Sequence, residues 1–349
     1  MTMDLSTFLV ILTVVSVFMF DFTNGFHDSA DMIATAIASR AMSVSVAIAL
    51  VSIFTFLGPL VAGLAVADTI GTFVNISQAT PHDSQALVIA ALFSAITFNL
   101  ITWKLGFPSS SSNSLAGGLV GAGLFIVGKT QINWGFSALM HGHITGVSKV
   151  ITGLFASPFL GFIIGFIIMK LIFFIFKKFT MKIKPFFVAS QYFSVAWLGF
   201  SHGANDAQNG MAIIGMMLLA SHNTHVFTVP LWVILLCSTA ITSGTMFGGW
   251  NIIKTVGFEL FHVKLTTSVA NQIGAALVNT LATSIGAPTS TSQVVTSTLL
   301  GNGAAENASH VNWRKASKIV LSWLINVPAS ILLGALYSFL ILKIFGVFS

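Results

Sequence analysis

The sequence predicts an all-α polytopic membrane protein with roughly 10–12 membrane segments, built from two inverted-topology repeats with broken helices. Three observations predict this fold class. The 349 residues are 55% hydrophobic and only 7% charged, long apolar runs recur, and two unlike motifs each occur twice. Soluble domains carry about 25% charged residues, so a chain this poor in charge cannot expose most of its surface to water.

Apolar runs of membrane-spanning length lie along the whole chain. A helix needs about 20 apolar residues to cross a bilayer, because every backbone polar group must be paired within the segment. The first run, LSTFLVILTVVSVFMF (5–20), follows Asp4 rather than a cationic region, so we expect a retained helix and not a removed signal peptide. The other runs lie at 43–66, 84–103, 150–176, 229–248, 266–285 and 317–345.

The charges and the missing motifs exclude several protein classes. The net charge of +6 includes one dense lysine cluster, which predicts a cytoplasmic loop at 177–184 under the positive-inside rule. The remaining cations are scattered, so nucleic-acid binding is not expected. With no Walker A, GxGxxG or GxSxG motif, neither an ATP-driven pump nor a nucleophilic hydrolase is predicted, and no cofactor is expected. The clustered lysines are Lys170, Lys177, Lys178, Lys182 and Lys184.

The chain contains a duplicated unit. FTNGFHDSADMIATAI (22–37) aligns with FSHGANDAQNGMAIIG (200–215) at an offset of 178 residues, and GFPSSSSN (106–113) aligns with GAPTSTSQ (286–293) at an offset of 180. Two motifs that repeat in the same order and at nearly the same spacing predict two domains, residues 1–180 and 181–349.

The cations predict that the two repeats are inverted. Arg40 follows the first acidic motif, whereas the lysine cluster precedes the second one. If cations face the cytoplasm, the chain crosses the membrane in opposite directions at the two motifs. Inverted repeats whose broken helices meet at the bilayer midplane are typical of secondary transporters.

The first motif predicts a cation site. A carboxylate in mid-membrane costs at least about 2.5–3.5 kcal/mol, so it is normally paired or functional. We expect Gly25 and Gly203 to break each helix just before an aspartate, leaving short half-helices at 28–39 and 206–220. The oxygen ligands there suit Na⁺ or a proton relay; a plain capping role at a membrane surface is the alternative. The candidate coupling-cation residues are Asn24, Asp28, Asp31, Asn205, Asp206 and Asn209.

The second motif predicts an anion site. Pro108 and Pro288 fit the first turn of a helix, and hydroxyl side chains then crowd its N-terminal end. The first four backbone N–H groups of a helix lack internal partners and carry the positive end of the dipole, so they bind anions without lysine or arginine. Interhelical hydrogen bonding is the alternative role. The hydroxyl residues are Ser109, Ser110, Ser111, Ser112, Thr289, Ser290, Thr291 and Ser292.

An anion site beside carboxylates indicates symport, since a cation must enter with the anion to neutralise the acids. Phosphate fits better than sulfate, because a P–OH group can donate a hydrogen bond to a carboxylate. A sulfate permease on the same scaffold remains an alternative. An intramembrane metal-dependent enzyme that uses His27, Asp28 and Asp31 is another. The histidines of HGH (141–143), His222 and His225 lack further ligands at metal spacing and are interpreted as loop residues.

GANDAQNG (203–210) resembles the G-A-N-D-x-A-N-x element of the inorganic phosphate transporter (PiT) family, and NGFHDSAD (24–31) resembles its first copy in the bacterial low-affinity, proton-coupled branch. The resemblance implies phosphate uptake across a bacterial plasma membrane, two re-entrant helical hairpins and commonly a homodimer. It implies that Asp28 and Asp206 bind the cation, as metal ligands if it is Na⁺. It also implies that phosphate contacts the residues from Ser109 to Asn113 and from Thr289 to Gln293.

The first acidic motif departs from the family at one position. Asp31 stands where the family usually has Asn, which adds a titratable group to the site. A carboxylate next to His27 can carry protons. We therefore favour H⁺ over Na⁺ as the coupling ion, with Na⁺ as the alternative.

Overall fold

The computed structural model describes residues 5–76, 79–105, 109–178, 183–221, 226–248 and 253–344. Among these residues the only β-pairing is an isolated bridge between Val74 and Ile132. Short 3₁₀ helices at Lys129–Gln131 and Ala308–His310 and a π-helical turn at Thr255–Glu259 join longer elements. The α-helices of the described residues are α1 (Leu5–Ala38), α2 (Val44–Val61), α3 (Ala65–Gly71), α4 (Pro81–Leu105), α5 (Ser111–Ile126), α6 (Phe136–Met140), α7 (Gly146–Phe176), α8 (Lys184–Ala220), α9 (Leu231–Thr245), α10 (Leu265–Ser284), α11 (Thr291–Asn307) and α12 (Trp313–Ile344).

The all-α fold is confirmed, and each predicted apolar run overlaps a helix. In chain order these helices are α1, α2, α4, α7, α9, α10 and α12, and the run at 43–66 continues into α3. Five described helices, α1, α2, α4, α7 and α12, are long and apolar enough to cross a membrane. Helix α8 is longer still, at 37 residues, but its second half carries many buried polar side chains, which lower its hydropathy.

Apolar and polar side chains are placed in the opposite way to those of a soluble protein. Large apolar side chains face outward, such as Phe159 and Phe174 on α7 and Leu332 on α12. Aspartate, asparagine and serine side chains are buried between the helices instead. Exposed apolar surface of this extent is stable against lipid but not against water.

The two halves of the chain pack against each other in matching pairs. Helix α1 packs on α9 and α8 packs on α2, while α5 packs on α12 and α11 packs on α7. One local contact is also repeated: Trp134 Nε1 donates to the Lys129 carbonyl at 2.9 Å, and Trp313 Nε1 donates to the Ala308 carbonyl at 2.8 Å. The inverted orientation of the halves and their boundary at residue 180 stay predictions.

The predicted helix breaks at Gly25 and Gly203 are wrong, because α1 and α8 run through both glycines without interruption. The glycines serve close packing instead. A Cβ atom at Gly25 would overlap the carbonyl oxygen of Ile241 on α9, and one at Gly203 would overlap that of Thr55 on α2. Each glycine therefore lets two helix backbones touch three residues before an aspartate.

The predicted half-helices at 28–39 and 206–220 are also wrong. Residues 28–38 are the last part of the 34-residue α1, and residues 206–220 are the last part of α8. Neighbouring helices surround these segments and stabilise a continuous helix, so a glycine alone does not end it.

The two hydroxyl motifs do begin helices, as predicted. We call residues 109–113 the α5 hydroxyl turn and residues 289–293 the α11 hydroxyl turn. Ser110 caps α5 by accepting from Asn113 N at 3.0 Å, and Ser290 caps α11 by accepting from Gln293 N at 3.3 Å. Each turn is the tip of a packed hairpin, α4 with α5 and α10 with α11. Re-entry of these hairpins into a membrane stays a prediction.

The predicted place of the prolines is corrected for the second motif. Pro288 lies before the helix rather than in its first turn, because Ser290 takes the capping position. Residues 106–108, with Pro108, lie outside the described residues, as do Lys182, His222 and His225. His141 and His143 are exposed in the loop after α6, as expected for loop residues.

Candidate transport site

Three carboxylates from both halves of the chain meet between α1 and α8. Asp28 and Asp31 lie on α1 and Asp206 lies on α8, and no more than 2% of any of them is exposed. The continuous helices present these side chains on facing surfaces. The predicted convergence of the two acidic motifs is therefore observed in the geometry.

His202 joins the two acidic motifs and was missed at the level of the sequence. Its Nδ1 lies 2.9 Å from Asp206 Oδ2 and 4.0 Å from Asp28 Oδ2. In the repeat alignment His202 matches Asn24, and His27 matches Asn205, so each motif carries one histidine at a different place. The exchange of histidine and asparagine between the two copies was the signal in the sequence that could have identified His202. His27 Nδ1 lies 3.2 Å from Asp28 Oδ1.

The α11 hydroxyl turn contacts all three carboxylates. Ser292 Oγ lies 2.6 Å from Asp28 Oδ1 and also forms a close hydrogen bond with Asp31. Thr291 Oγ1 donates to Asp206 Oδ2 at 3.1 Å. The two acidic motifs and the second hydroxyl motif thus form one buried polar site.

The α5 hydroxyl turn is lined by amides instead. Asn209 Nδ2 donates to Ser112 Oγ at 2.9 Å, and Asn99 Nδ2 donates to Ser111 Oγ at 3.0 Å. Ser109 Oγ is hydrogen-bonded to Thr102 at 2.7 Å. Within the described residues no carboxylate is hydrogen-bonded to this turn, so its hydrogen-bond partners are neutral.

The remaining predicted residues are placed around this site. Asn205 accepts from Thr289 N at 3.0 Å and donates to Thr283 Oγ1 at 2.9 Å, so it holds the loop that leads into α11. Thr289 Oγ1 donates to Asn279 Oδ1 at 3.3 Å. Asn24 is buried, and neither end of its amide has a hydrogen-bond partner among the described residues.

Two groups of side chains have the spacing of a cation site. His27, Asp28 and Asp31 form one group, and Asp28, His202 and Asp206 form the other. Within each group one ligand atom per residue lies within 4.8 Å of the others. Asp28 belongs to both groups, so the arrangement can hold a cation, or a proton, on either side of this residue.

Comparisons with known proteins identify the family of the chain. The sequence profile described as "Phosphate transporter family" matches residues 24–334. A protein of Bacillus subtilis (strain 168) named "Probable low-affinity inorganic phosphate transporter" is 36% identical over 345 residues, which cover 98% of this chain and 100% of the relative. A Rhizobium meliloti (strain 1021) protein of the same name is 36% identical, over 95% of this chain and 96% of its own.

The fold is similar to that of a solved protein named "The sodium-dependent phosphate transporter". The TM-score is 0.84 and the sequence identity is 25%, and the match covers 97% of this chain and 99% of the other. All of these similar proteins are described as transporters, so the metal-enzyme alternative has no support among them. The chain is an integral membrane protein that belongs to the phosphate transporter family.

Proposed function

We propose that this protein is a secondary active symporter that moves inorganic phosphate together with a coupling cation, H⁺ rather than Na⁺. The observation that carries the proposal is the direct contact between the α11 hydroxyl turn and three buried carboxylates. The names of the similar proteins support phosphate as the substrate.

Electrostatics makes the coupling obligatory. Buried charges lose their hydration, and the penalty is several kcal/mol per ion unless an opposite charge or hydrogen bonds offset it. Asp28, Asp31 and Asp206 would repel an anion that entered the same polar site. Binding one or more cations at these acids removes that repulsion, so phosphate binds well only when the cation is bound too.

The hydrogen count at Ser292 favours the proton. A serine hydroxyl has one hydrogen to donate, yet Ser292 Oγ lies within hydrogen-bond distance of both Asp28 and Asp31. If both carboxylates are ionised, one of the two close contacts of Ser292 Oγ has no hydrogen between the two oxygens, and His27 beside Asp28 cannot supply one there. A proton on one of the acids supplies the second hydrogen bond. If the ion is Na⁺ instead, Asp28 and Asp206 are its ligands; the name of the structurally similar protein supports this alternative.

For phosphate we propose both hydroxyl turns, with unequal roles. Among the described residues the α5 hydroxyl turn is hydrogen-bonded to amides and a hydroxyl rather than to carboxylates, so of the two turns it repels an anion less before the cation binds. The α11 hydroxyl turn becomes available only after its carboxylates are neutralised. The proposed phosphate residues are Ser109, Ser110, Ser111, Ser112, Asn113, Thr289, Ser290, Thr291, Ser292 and Gln293.

The placement in the cell is part of the proposal. Bacterial relatives support a plasma-membrane location, and the lysine cluster supports a cytoplasmic loop at 177–184. Matching helix pairs across the two halves support inverted repeats divided near residue 180. A homodimer is proposed from the family resemblance alone.

Competition for uptake tests the substrate. Purified protein in proteoliposomes is given labelled phosphate under an inward pH gradient, with excess arsenate or sulfate. Arsenate should compete well because it brings a hydroxyl that can donate to the carboxylates, whereas sulfate should compete poorly. Sulfate that competes as well as arsenate, or is itself accumulated, would favour the sulfate permease.

A further inference from the structure

A further buried carboxylate, Asp21, lies on α1 outside the groups described above. It is fully buried, and neither oxygen accepts a hydrogen bond from a nitrogen or oxygen donor of the described residues. The Cys237 thiol of α9, a weak donor, lies beside Asp21. The Asp206 carboxyl group of α8 is far enough away to interact with Asp21 only through charge repulsion. None of the ion pairs among the described residues involves Asp21.

Asp21 belongs to a polar stripe along one face of α1. Asn24 follows it by three residues and Asp28 by seven, spacings that place side chains on the same helix face. Asn24 is the buried amide that has no hydrogen-bond partner among the described residues. Asp21 lies about 10 Å from Asp28 along the helix axis, at a rise of about 1.5 Å per residue. The stripe thus extends the acid site toward the N-terminal end of α1.

Space for the Asp21 side chain is provided by a glycine. A Cβ atom at Gly210 on α8 would overlap the carboxylate, so a larger residue there would displace it. In the repeat alignment Asp21 matches Gly199 and Gly210 matches Met32. The other copy therefore forms this part of the fold without a carboxylate, which shows that packing does not require one.

Beyond Asp31, toward the C-terminal end of α1, the described residues place a neutral cluster against the helix. There Gln272 Nε2 donates to the Met32 carbonyl at 3.0 Å, and Ser194 Oγ donates to Gln272 Oε1 at 2.8 Å. Gln191 also bonds to Gln272. These side chains are neutral and bonded to one another. In the described part of the chain, the acid site is therefore extended by a further carboxylate only toward the N-terminus of α1.

We propose that Asp21, with Asn24 beside it, is a further binding position for the coupling cation, outside the two groups that share Asp28. The inference rests on the proposed symport: the cation is H⁺ in the proposed function and Na⁺ in its alternative. An isolated carboxylate buried in a membrane protein is costly when charged and bare, so a bound proton or cation accounts for its presence. In this assignment Asp21 carries a coupling cation of its own, in addition to the cation held at Asp28 and Asp206.

The test compares the parent with Asp21→Asn, which keeps the shape but removes the charge and the proton-binding oxygen. Asp68→Asn, on the exposed side of α3, is the matched control and should behave like the parent. Steady-state phosphate accumulation is measured in proteoliposomes under imposed pH gradients. Loss of one coupled proton should lower accumulation about tenfold for each pH unit imposed, because one unit is about 1.4 kcal/mol per proton. Asp21→Glu should restore the gradient dependence at least in part.

The parent and the variant answer different questions. Parent accumulation that follows a Na⁺ gradient and ignores the pH gradient overturns the H⁺ part of the proposed function, and the same variants are then compared under the Na⁺ gradient. A folded Asp21→Asn protein with unchanged dependence on the driving gradient overturns the Asp21 site. A loss that Asp21→Glu leaves unrepaired also overturns it. If Asp21→Asn does not fold, Asp21→Glu must change the apparent cation affinity, and an unchanged affinity overturns the inference.

Discussion

The N-terminal turns of α5 and α11 share one sequence pattern but have different hydrogen-bond partners. Ser112 in the first turn accepts from the Asn209 amide, whereas Ser292 in the second contacts Asp28 and Asp31. Asn209 and Asp31 occupy matching places in the repeats. One of the three carboxylates at the α11 turn therefore stands where the other repeat has an amide that contacts the α5 turn.

The comparison indicates how one duplicated unit supplies both parts of a symport site. A neutral hydroxyl turn attracts an anion through its N–H groups and hydroxyls. The same turn beside carboxylates attracts a cation first and an anion only afterwards. His202 lies next to the acids of both motifs. A proton or cation bound at Asp28 therefore affects binding at Asp206, and the reverse.

The largest expected effect comes from the acids that the two motifs share. Asp28→Asn and Asp206→Asn should each abolish gradient-driven phosphate uptake, because each removes a charge that binds the coupling cation. The change is nearly isosteric, so folded protein should remain in the membrane, as size-exclusion profiles would check. Asp68→Asn serves as the control. Near-normal uptake by either variant would contradict a shared cation site.

A smaller effect distinguishes the two hydroxyl turns. Ser112→Ala should weaken phosphate binding by roughly ten- to a hundredfold, since a hydrogen bond to a charged group contributes about 1.5–3 kcal/mol. Ser292→Ala should instead change the response to the pH gradient, because the hydroxyl shared by two carboxylates is lost. Phosphate affinity and gradient response are measured for both variants. If the two substitutions change both quantities equally, the turns do not have separate roles.

Asp31→Asn gives the α11 turn the residue type that the α5 turn contacts. We expect a partial loss of the response to an inward pH gradient, less than for Asp28→Asn, because Asp28 and Asp206 remain. Initial uptake rates over a series of imposed gradients measure it, with Asp68→Asn as the control. An unchanged response would make Asp31 a structural residue.

The smallest effect concerns the packing that brings the turns to the acids. Gly25→Ala places a methyl group against the Ile241 carbonyl and should destabilise the protein by about 1–3 kcal/mol. Gly123→Ala is the matched control, since its Cβ meets only side-chain atoms at 3.4 Å or more. Thermal unfolding in detergent should separate the two variants. Equal stability would remove the close-packing role of Gly25.

The sequence predicted the helices and the members of the site better than their local geometry. Duplication of Asp28 and Asp206 was enough to predict that they lie close together, and the serine runs predicted where α5 and α11 begin. Gly25 was misread because glycine suits both a helix break and a close helix crossing, and only the neighbouring helix decides between them. His202 was missed because its partners lie on other helices, and the contact of Ser292 with Asp31 spans 261 residues.

The coupling ion of the parent protein tests the central claim most directly. Initial rates of labelled phosphate uptake into proteoliposomes are measured with only an inward pH gradient and then with only an inward Na⁺ gradient. We expect the pH gradient to drive uptake above the rate without a gradient, and the Na⁺ gradient to add little, because the carboxylates at Ser292 bind the proton. Uptake that requires Na⁺ and ignores the pH gradient would contradict the account.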